Sequence, residues 1–176
     1  YAGKCKAVEC DSNHHISSTD PTACVANTAT KCAATHVADD NATDCNTANH
    51  AAAGTCEAGG TCKITKCQTG YHLSNTAAGN ICVPNSLTAC APTTSAVTKD
   101  CLATDHLVAG NCDTGACSAT KCAVGYYLDG TTCKPNAAEK CSADGSATTI
   151  DCNTANYAAE GTCEAGGICK ITKCTT

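Results

Sequence analysis

The sequence predicts a fold of small disulfide-rich repeats, mostly loops with short β-hairpins, arranged as an elongated tandem array. Three observations lead there. Residues 44–67, DCNTANHAAAGTCEAGGTCKITKC, return at 151–174 as DCNTANYAAEGTCEAGGICKITKC with three positions changed, and a shorter, more divergent copy, DCLATDHLVAGNCDTGACSATKC, fills 100–122. Twenty of 176 residues are cysteine, above the fraction at which composition alone points to a disulfide scaffold. Phe, Trp and Met are absent, so the material of an ordinary core is missing.

The apolar content of 43% is largely Ala and Cys. Alanine buries too little area to offset the roughly 1–2 kcal/mol per residue that ordering a backbone costs. Cross-links are the remaining source of stability. A bridge closing a loop of about ten residues contributes on the order of 2–3 kcal/mol, so three per repeat approach the net stability of a small domain. Such bridges persist outside the cytosol, and the expectation is a secreted or surface-displayed protein. No signal peptide is visible and no apolar run reaches the roughly 18 residues of a membrane span, which reads as a mature product whose anchor, if any, lies elsewhere. A net charge of -5, a pI near 5.6 and scattered lysines lack the basic face that nucleic acid or an anionic membrane requires.

From Cys24 onward the cysteines fall into three six-cysteine units with nearly equal gaps: Cys24, Cys32, Cys45, Cys56, Cys62, Cys67; then Cys82, Cys90, Cys101, Cys112, Cys117, Cys122; then Cys133, Cys141, Cys152, Cys163, Cys169, Cys174. Residues 1–23 read as the tail of a preceding repeat plus an inter-unit hairpin, 24–81 as repeat one, 82–132 as repeat two and 133–176 as repeat three. Cys5 and Cys10 in AGKCKAVEC align with the end of repeat three, AGGICKITKC. The expectation is a slice of a longer array or a protomer with complementary ends.

Between units runs C-x-x-G-Y-x-L, as CQTGYHL from Cys67 and CAVGYYL from Cys122, with CDSNHHI from Cys10 as the variant copy. This predicts a short hairpin, with Gly70 and Gly125 at positive φ, Tyr71 or Tyr126 packed on the bridge, and Asp129-Gly130 as a tight turn. Asn13 tolerates the same left-handed geometry. The Ala-rich residues 46–53 suggest one helical turn after Asp44, and 63–65 and 170–172 suit short strands. Gly, Asn, Asp, Ser and Thr fill the rest as turns.

Structural zinc sites favour C-x2-C or C-x4-C with a matching second pair; there is no C-x-x-C, and the C-x4-C pairs that end the repeats are followed by gaps of ten or more residues, so no metal and no cofactor is expected. His50, His106 and Tyr157 share one repeat position, and His15, His72 and Tyr127 another. Exchange of His for Tyr at both suits a packed planar ring with a polar edge, not a general base. The His14-His15 pair and His36 carry no assigned chemistry. Bridged cysteines leave no spare thiolate, G-x-S-x-G is absent, and Asp39-Asp40 read as a solvated pair, so no enzyme activity is expected. Asn41-Ala42-Thr43 is an N-glycosylation sequon; Asn80-Ile81-Cys82 fits only the rare cysteine form, and residues 91–95 are a compositional candidate for O-linked sugar.

Tandem cysteine-periodic units of fifty-odd residues, rich in Ala, Thr and Asn and carrying CAVGYYLDGTTC-like hairpins, resemble the immobilisation (surface) antigens of ciliates, which coat the cell through a lipid anchor. The hairpin alone is similar to EGF-like repeats, in which the cysteines flanking C-x-x-G-Y pair. That similarity implies Cys10 with Cys24, Cys67 with Cys82 and Cys122 with Cys133. Local closure then suggests Cys45 with Cys56, Cys101 with Cys112 and Cys152 with Cys163, leaving Cys32 with Cys62, Cys90 with Cys117 and Cys141 with Cys169. Cys5 and Cys174 remain, either joining one copy to the next or, in self-contained units, with Cys5 paired to Cys10 and Cys169 to Cys174. The function this supports is a structural coat or filament that self-associates, carries glycans and meets a membrane only through an anchor. An adhesion or ligand-binding ectodomain is the alternative, and a secreted inhibitor or toxin the third.

Overall fold

The computed structural model describes residues 5–76 and 79–176. Among them, regular structure is almost wholly antiparallel hairpins. Three long ones pair β3 (Ala51–Glu57) with β4 (Thr61–Cys67), β7 (Leu107–Cys112) with β8 (Cys117–Cys122), and β11 (Ala158–Glu164) with β12 (Ile168–Cys174). Three linking ones pair β1 (His14–Ile16) with β2 (Cys24–Ala26), β5 (Tyr71–Thr76) with β6 (Gly79–Pro84), and β9 (Tyr126–Asp129) with β10 (Thr132–Pro135). Linking and long hairpins alternate along the chain, as the repeat spacing predicts.

Gly70 and Gly125 stand at φ 85° and 90°, Asn13 at 74°, each just before its linking hairpin, where the sequence placed them. The helical turn predicted over 46–53 is smaller than expected. A 3-10 turn covers only Ala48–His50, and the alanines that follow belong to β3. Asn49 and His50 adopt φ 52° and 62°, and two left-handed residues in succession stop a right-handed helix. Ala51 faces Cys67 in the register and is 1% exposed, buried in one cluster with Ile64, Cys67 and Leu73.

The chain divides into two compact units: residues up to Pro84 together with Pro92–Ala96, and Asn85–Ala91 together with Val97–Thr176. In the first, Ala51, Ile64, Cys67 and Leu73 form a buried cluster flanked by Tyr71 and Cys82. In the second, Cys90, Cys101, Leu107, Cys112, Ala119 and Cys122 do the same, flanked by Tyr126, Leu128 and Cys133. Cysteines make up most of the second cluster, whereas the first is mainly aliphatic, with Ile64 and Leu73 packed around Cys67. The fold is a set of repeating disulfide-bonded hairpin units with little helix.

Each linking hairpin is closed as the EGF-like similarity implies, by Cys10–Cys24, Cys67–Cys82 and Cys122–Cys133. Each long hairpin departs from the expectation. Its bridges are crossed, not nested: Cys32–Cys56 with Cys45–Cys62, Cys90–Cys112 with Cys101–Cys117, and Cys141–Cys163 with Cys152–Cys169. The pairs Cys45–Cys56, Cys101–Cys112, Cys152–Cys163, Cys32–Cys62, Cys90–Cys117 and Cys141–Cys169 are therefore corrected. The reason is where the loop crosses the strand. A Cβ on Gly54 would lie 2.4 Å from the Cys45 carbonyl oxygen, so Cys45 passes directly over β3, and its sulfur reaches Cys62 on β4. Gly161 records the same crossing by Cys152, at 2.3 Å. Cys5 and Cys174 are exposed and unbridged, while Cys10 and Cys169 pair elsewhere, which corrects the self-contained alternative as well.

Candidate functional site: crossed bridges and ring stacks

The conserved-looking string D-C-N works as a device for placing the second cysteine of each crossed pair. Asp44 Oδ1 accepts from the Asn46 N–H at 2.9 Å, and Asn46 Oδ1 then accepts from the Gly54 N–H at 3.1 Å, tying the loop to β3. Asp151, Asn153 and Gly161 repeat both bonds at 2.9 and 3.0 Å. In repeat two Leu102 replaces the asparagine, and Asp100 instead caps a short helix, α1 (Cys101–Thr104), accepting from the Leu102 and Ala103 N–H groups. In all three, the N–H of that cysteine donates to a carbonyl sixteen, fourteen or fourteen residues upstream, at Ala29, Leu87 and Ala138.

A second device holds the first cysteine of each pair. Asn27 donates from Nδ2 to the Ala33 carbonyl at 3.0 Å and accepts at Oδ1 from the Ala33 N–H at 3.3 Å. Asn85 does the same to Ala91, and Asn136 to Ser142. One amide thus satisfies both backbone groups of the residue after Cys32, Cys90 or Cys141. Nothing in their residue type singles these asparagines out, yet the sequence carries a signal for them: C-x2-N-x4-C occurs at Cys24, Cys82 and Cys133.

The result is a compact sulfur cluster per repeat. The sulfurs of Cys32, Cys45 and Cys62 lie within 4.8 Å of one another, as do those of Cys90, Cys101 and Cys117, and of Cys141, Cys152 and Cys169. A metal takes thiolates, whereas every sulfur here is spent in an S–S bond. In the oxidised protein these clusters are core, not ligand sets.

The rings are the second feature. His50 stacks on Tyr71 with centroids 4.2 Å apart and planes 13° from parallel, and His106 stacks on Tyr126 at 4.1 Å and 17°. The Tyr126 hydroxyl also meets His106 Nε2 at 3.1 Å. Each stack joins a long hairpin to the linking hairpin after it. The strain of φ 62° at His50 and 54° at His106 is tolerated because that conformation turns the ring onto its partner. Tyr157 has the same conformation, at φ 61°, and is 86% exposed. At the other shared position His15 is 1% exposed, with Nδ1 2.7 Å from Asn27 Oδ1, His72 is 5% exposed and Tyr127 9%. These rings are packed, as the His/Tyr exchange implies.

The remaining candidates are surface features. Asp39 accepts from the Ser18 N–H at 3.0 Å, and its hydrogen bonds with Ser18 hold its carboxyl below the ordinary range; it tethers a loop, while Asp40 faces solvent. His36 is exposed. Asn41 is exposed at the end of a 3-10 turn, whereas Asn80 donates to the Ile64 carbonyl and Cys82 of its sequon is bridged. A cleft of about 360 Å³ in the second unit is walled by Lys99, Asp105 and His106, but Lys99 and Asp105 form an ion pair at 2.6 Å and His106 is stacked. In the first unit an open groove runs beside the Cys10–Cys24 bridge, bordered by Glu9, Asp11, His14 and Thr35. Comparison with protein-family models, with curated protein sequences and with solved structures finds no match.

Proposed function

We propose that the protein is a structural component of an extracellular coat or filament, with no catalytic role of its own, in which disulfide-locked hairpins provide stiffness and resistance to proteolysis. The observation that carries this reading is the crossed bridge pair built three times on the same asparagine clamp, with the aspartate–asparagine tether repeated in two of the three. A chain organised around one ligand would concentrate special residues in one repeat; here the special residues are those that place sulfur. The oxidised fold is typical of an oxidising compartment and supports a secreted or surface location. Self-association, a glycan on exposed Asn41 and attachment to a membrane through a separate anchor belong to the same reading, as does the resemblance to ciliate surface antigens. Adhesion is the second reading, and Tyr157 favours it, since a strained and 86% exposed ring is the aromatic anchor such a surface needs.

Electron microscopy of native material tests the first reading. Regular coats or filaments that disperse on treatment with a reductant are expected. Isolated particles at all protein concentrations would overturn it and leave adhesion as the better account.

A further inference from the structure

We propose that one copy captures the next by thiol–disulfide exchange: Cys174 of the first replaces Cys10 in the Cys10–Cys24 bridge of the second, as the β11–β12 hairpin docks on the second copy's β1–β2 hairpin. The inference rests on the array reading above and supplies its interface and its bond.

The β11–β12 hairpin is a near copy of β3–β4 on which no linking hairpin packs among the described residues. In β3–β4, Ile64 is 3% exposed and Cys67 1%, because the linking hairpin β5–β6 packs on them and Asn80 donates to the Ile64 carbonyl. At the same positions of β12, Ile171 is 36% exposed and Cys174 is an exposed thiol. The face is shaped for a linking hairpin.

The β1–β2 hairpin offers the complementary deficiency. Ala7 donates to the Pro21 carbonyl as Ala119 does to Thr131, and Cys10 donates to Thr35 as Cys67 does to Thr93 and Cys122 to Gly145. Residues 7–10 therefore occupy the place of β4, but as a lone segment outside any strand pairing. They carry Ala7 where Ile64 and Ile171 stand, and Val8 is 79% exposed. Residues 169–174 of a neighbour, already paired in a hairpin, bring the larger apolar side chain to that place.

The rings agree. Both internal junctions join a histidine and a tyrosine, His50 with Tyr71 and His106 with Tyr126. The ring positions left over are Tyr157 on β11–β12 and His14 on β1–β2, so a junction between copies restores the same pair with its members exchanged. The groove beside Cys10–Cys24 leaves the bridge open to attack, and Cys24 is exposed where its equivalents Cys82 and Cys133 are half-buried.

The step is balanced without an oxidant. The Cys174 thiolate attacks the Cys24 sulfur, the Cys10–Cys24 bond breaks as the Cys24–Cys174 bond forms, and Cys10 leaves as a thiolate that takes a proton from water. One thiol is consumed and one released per junction.

The test uses the oxidised 176-residue chain, incubated at pH 8, quenched with an alkylating agent and examined by non-reducing electrophoresis and peptide mass mapping. A ladder is expected in which the Cys174 peptide is joined to the Cys24 peptide and Cys10 is alkylated. C174S should abolish the ladder and C5S should leave it. Y157A should slow its growth by about 3- to 10-fold, and Y157F should keep most of the rate, because stacking on the ring carries the effect. A ladder joined through Cys5 and Cys174, or non-covalent filaments from C174S, would overturn the exchange while leaving the array reading intact. Monomer alone, with no filaments by microscopy, would overturn both.

Discussion

Replacing Cys45 with alanine separates the crossed pairing from the nested one. Cys45 is fully buried, so alanine avoids the further cost of a buried hydroxyl without a partner. The lost Cys45–Cys62 bridge spans 17 residues, and the chain-entropy relation gives about 3 kcal/mol for a loop of that size. For a cooperative unit of this size that corresponds to a fall in Tm of roughly 12–20 °C, readable by calorimetry. The C152A variant is an internal replicate, since Cys152–Cys169 also spans 17 residues inside nearly the same sequence. The decisive measurement is the position of the freed thiol. After alkylation at acidic pH, where exchange is slow, the label should sit on Cys62 in C45A and on Cys169 in C152A. At pH 8 the freed Cys62 lies within 4.8 Å of the Cys32 sulfur and attacks the neighbouring bridge, so label should spread to Cys56. Label on Cys56 alone at acidic pH, or an unchanged Tm, would refute the crossed arrangement.

Three further perturbations probe the other devices. Tyr71→Ala removes the stack on His50 and should cost about 1 kcal/mol beyond the lost area, while Tyr71→Phe keeps most of it; thermal melts of the two variants give the comparison. Gly59 and Gly60 stand at φ 87° and 79°, but only Gly60 is crowded, with the Ala33 backbone 2.1 Å from where a Cβ would sit. Gly59→Ala should therefore cost about 1 kcal/mol from backbone strain, and Gly60→Ala more than twice that, measured by urea unfolding. The Lys134 ammonium beside Asp129 holds its carboxyl below the ordinary 3.8 and is itself raised above 10.5. The Asp129 contribution is present above pH 3.8 and fades as pH falls through its depressed pKa; the Lys134 contribution is present below 10.5 and fades as pH rises through the raised value. Both groups are exposed, so the effect is small and salt-sensitive, and D129N should remove it at both ends of a pH–Tm profile.

What the sequence made legible was whatever depends on spacing along the chain. Cysteine order marked the repeats, and Gly70, Asn13 and Gly125 marked the linking hairpins, because a left-handed residue before a short strand is a local requirement. The exchange of His for Tyr pointed to a packed ring, which holds at 15, 72 and 127 and as a stack at 50 and 106, but not at Tyr157, which is 86% exposed. What escaped was set across the fold. The alanines after His50 have high helix propensity, yet they form β3, because the left-handed pair at 49–50 has already broken the helix and Ala51 is buried against Ile64, Cys67 and Leu73. The clamp by Asn27, Asn85 and Asn136 lay hidden because its partners are backbone groups six residues on, which leave no trace in side-chain chemistry.

The pairing of the cysteines shows why local closure was the wrong guide. Cys56 and Cys62 face each other directly across the β3–β4 ladder, and the corresponding residues do so in the other two long hairpins. Two cysteines held side by side on one face cannot both be served by the nearest chain neighbour; each takes whichever loop sulfur the crossing presents. In repeats one and three a glycine sits at the crossing, whereas Gly110 of repeat two faces the Ser118 carbonyl. Without a Cβ, Gly54 lets the Cys45 backbone pass over the strand, which carries the Cys45 sulfur beyond Cys56 to Cys62 and leaves Cys56 for Cys32. An alanine at Gly54 should therefore shift the oxidised protein toward a different pairing during refolding, and mass mapping of unreduced G54A would show Cys45 joined elsewhere. Recovery of the same two bridges at the wild-type yield would mean that the glycine merely fits the crossing and does not select it.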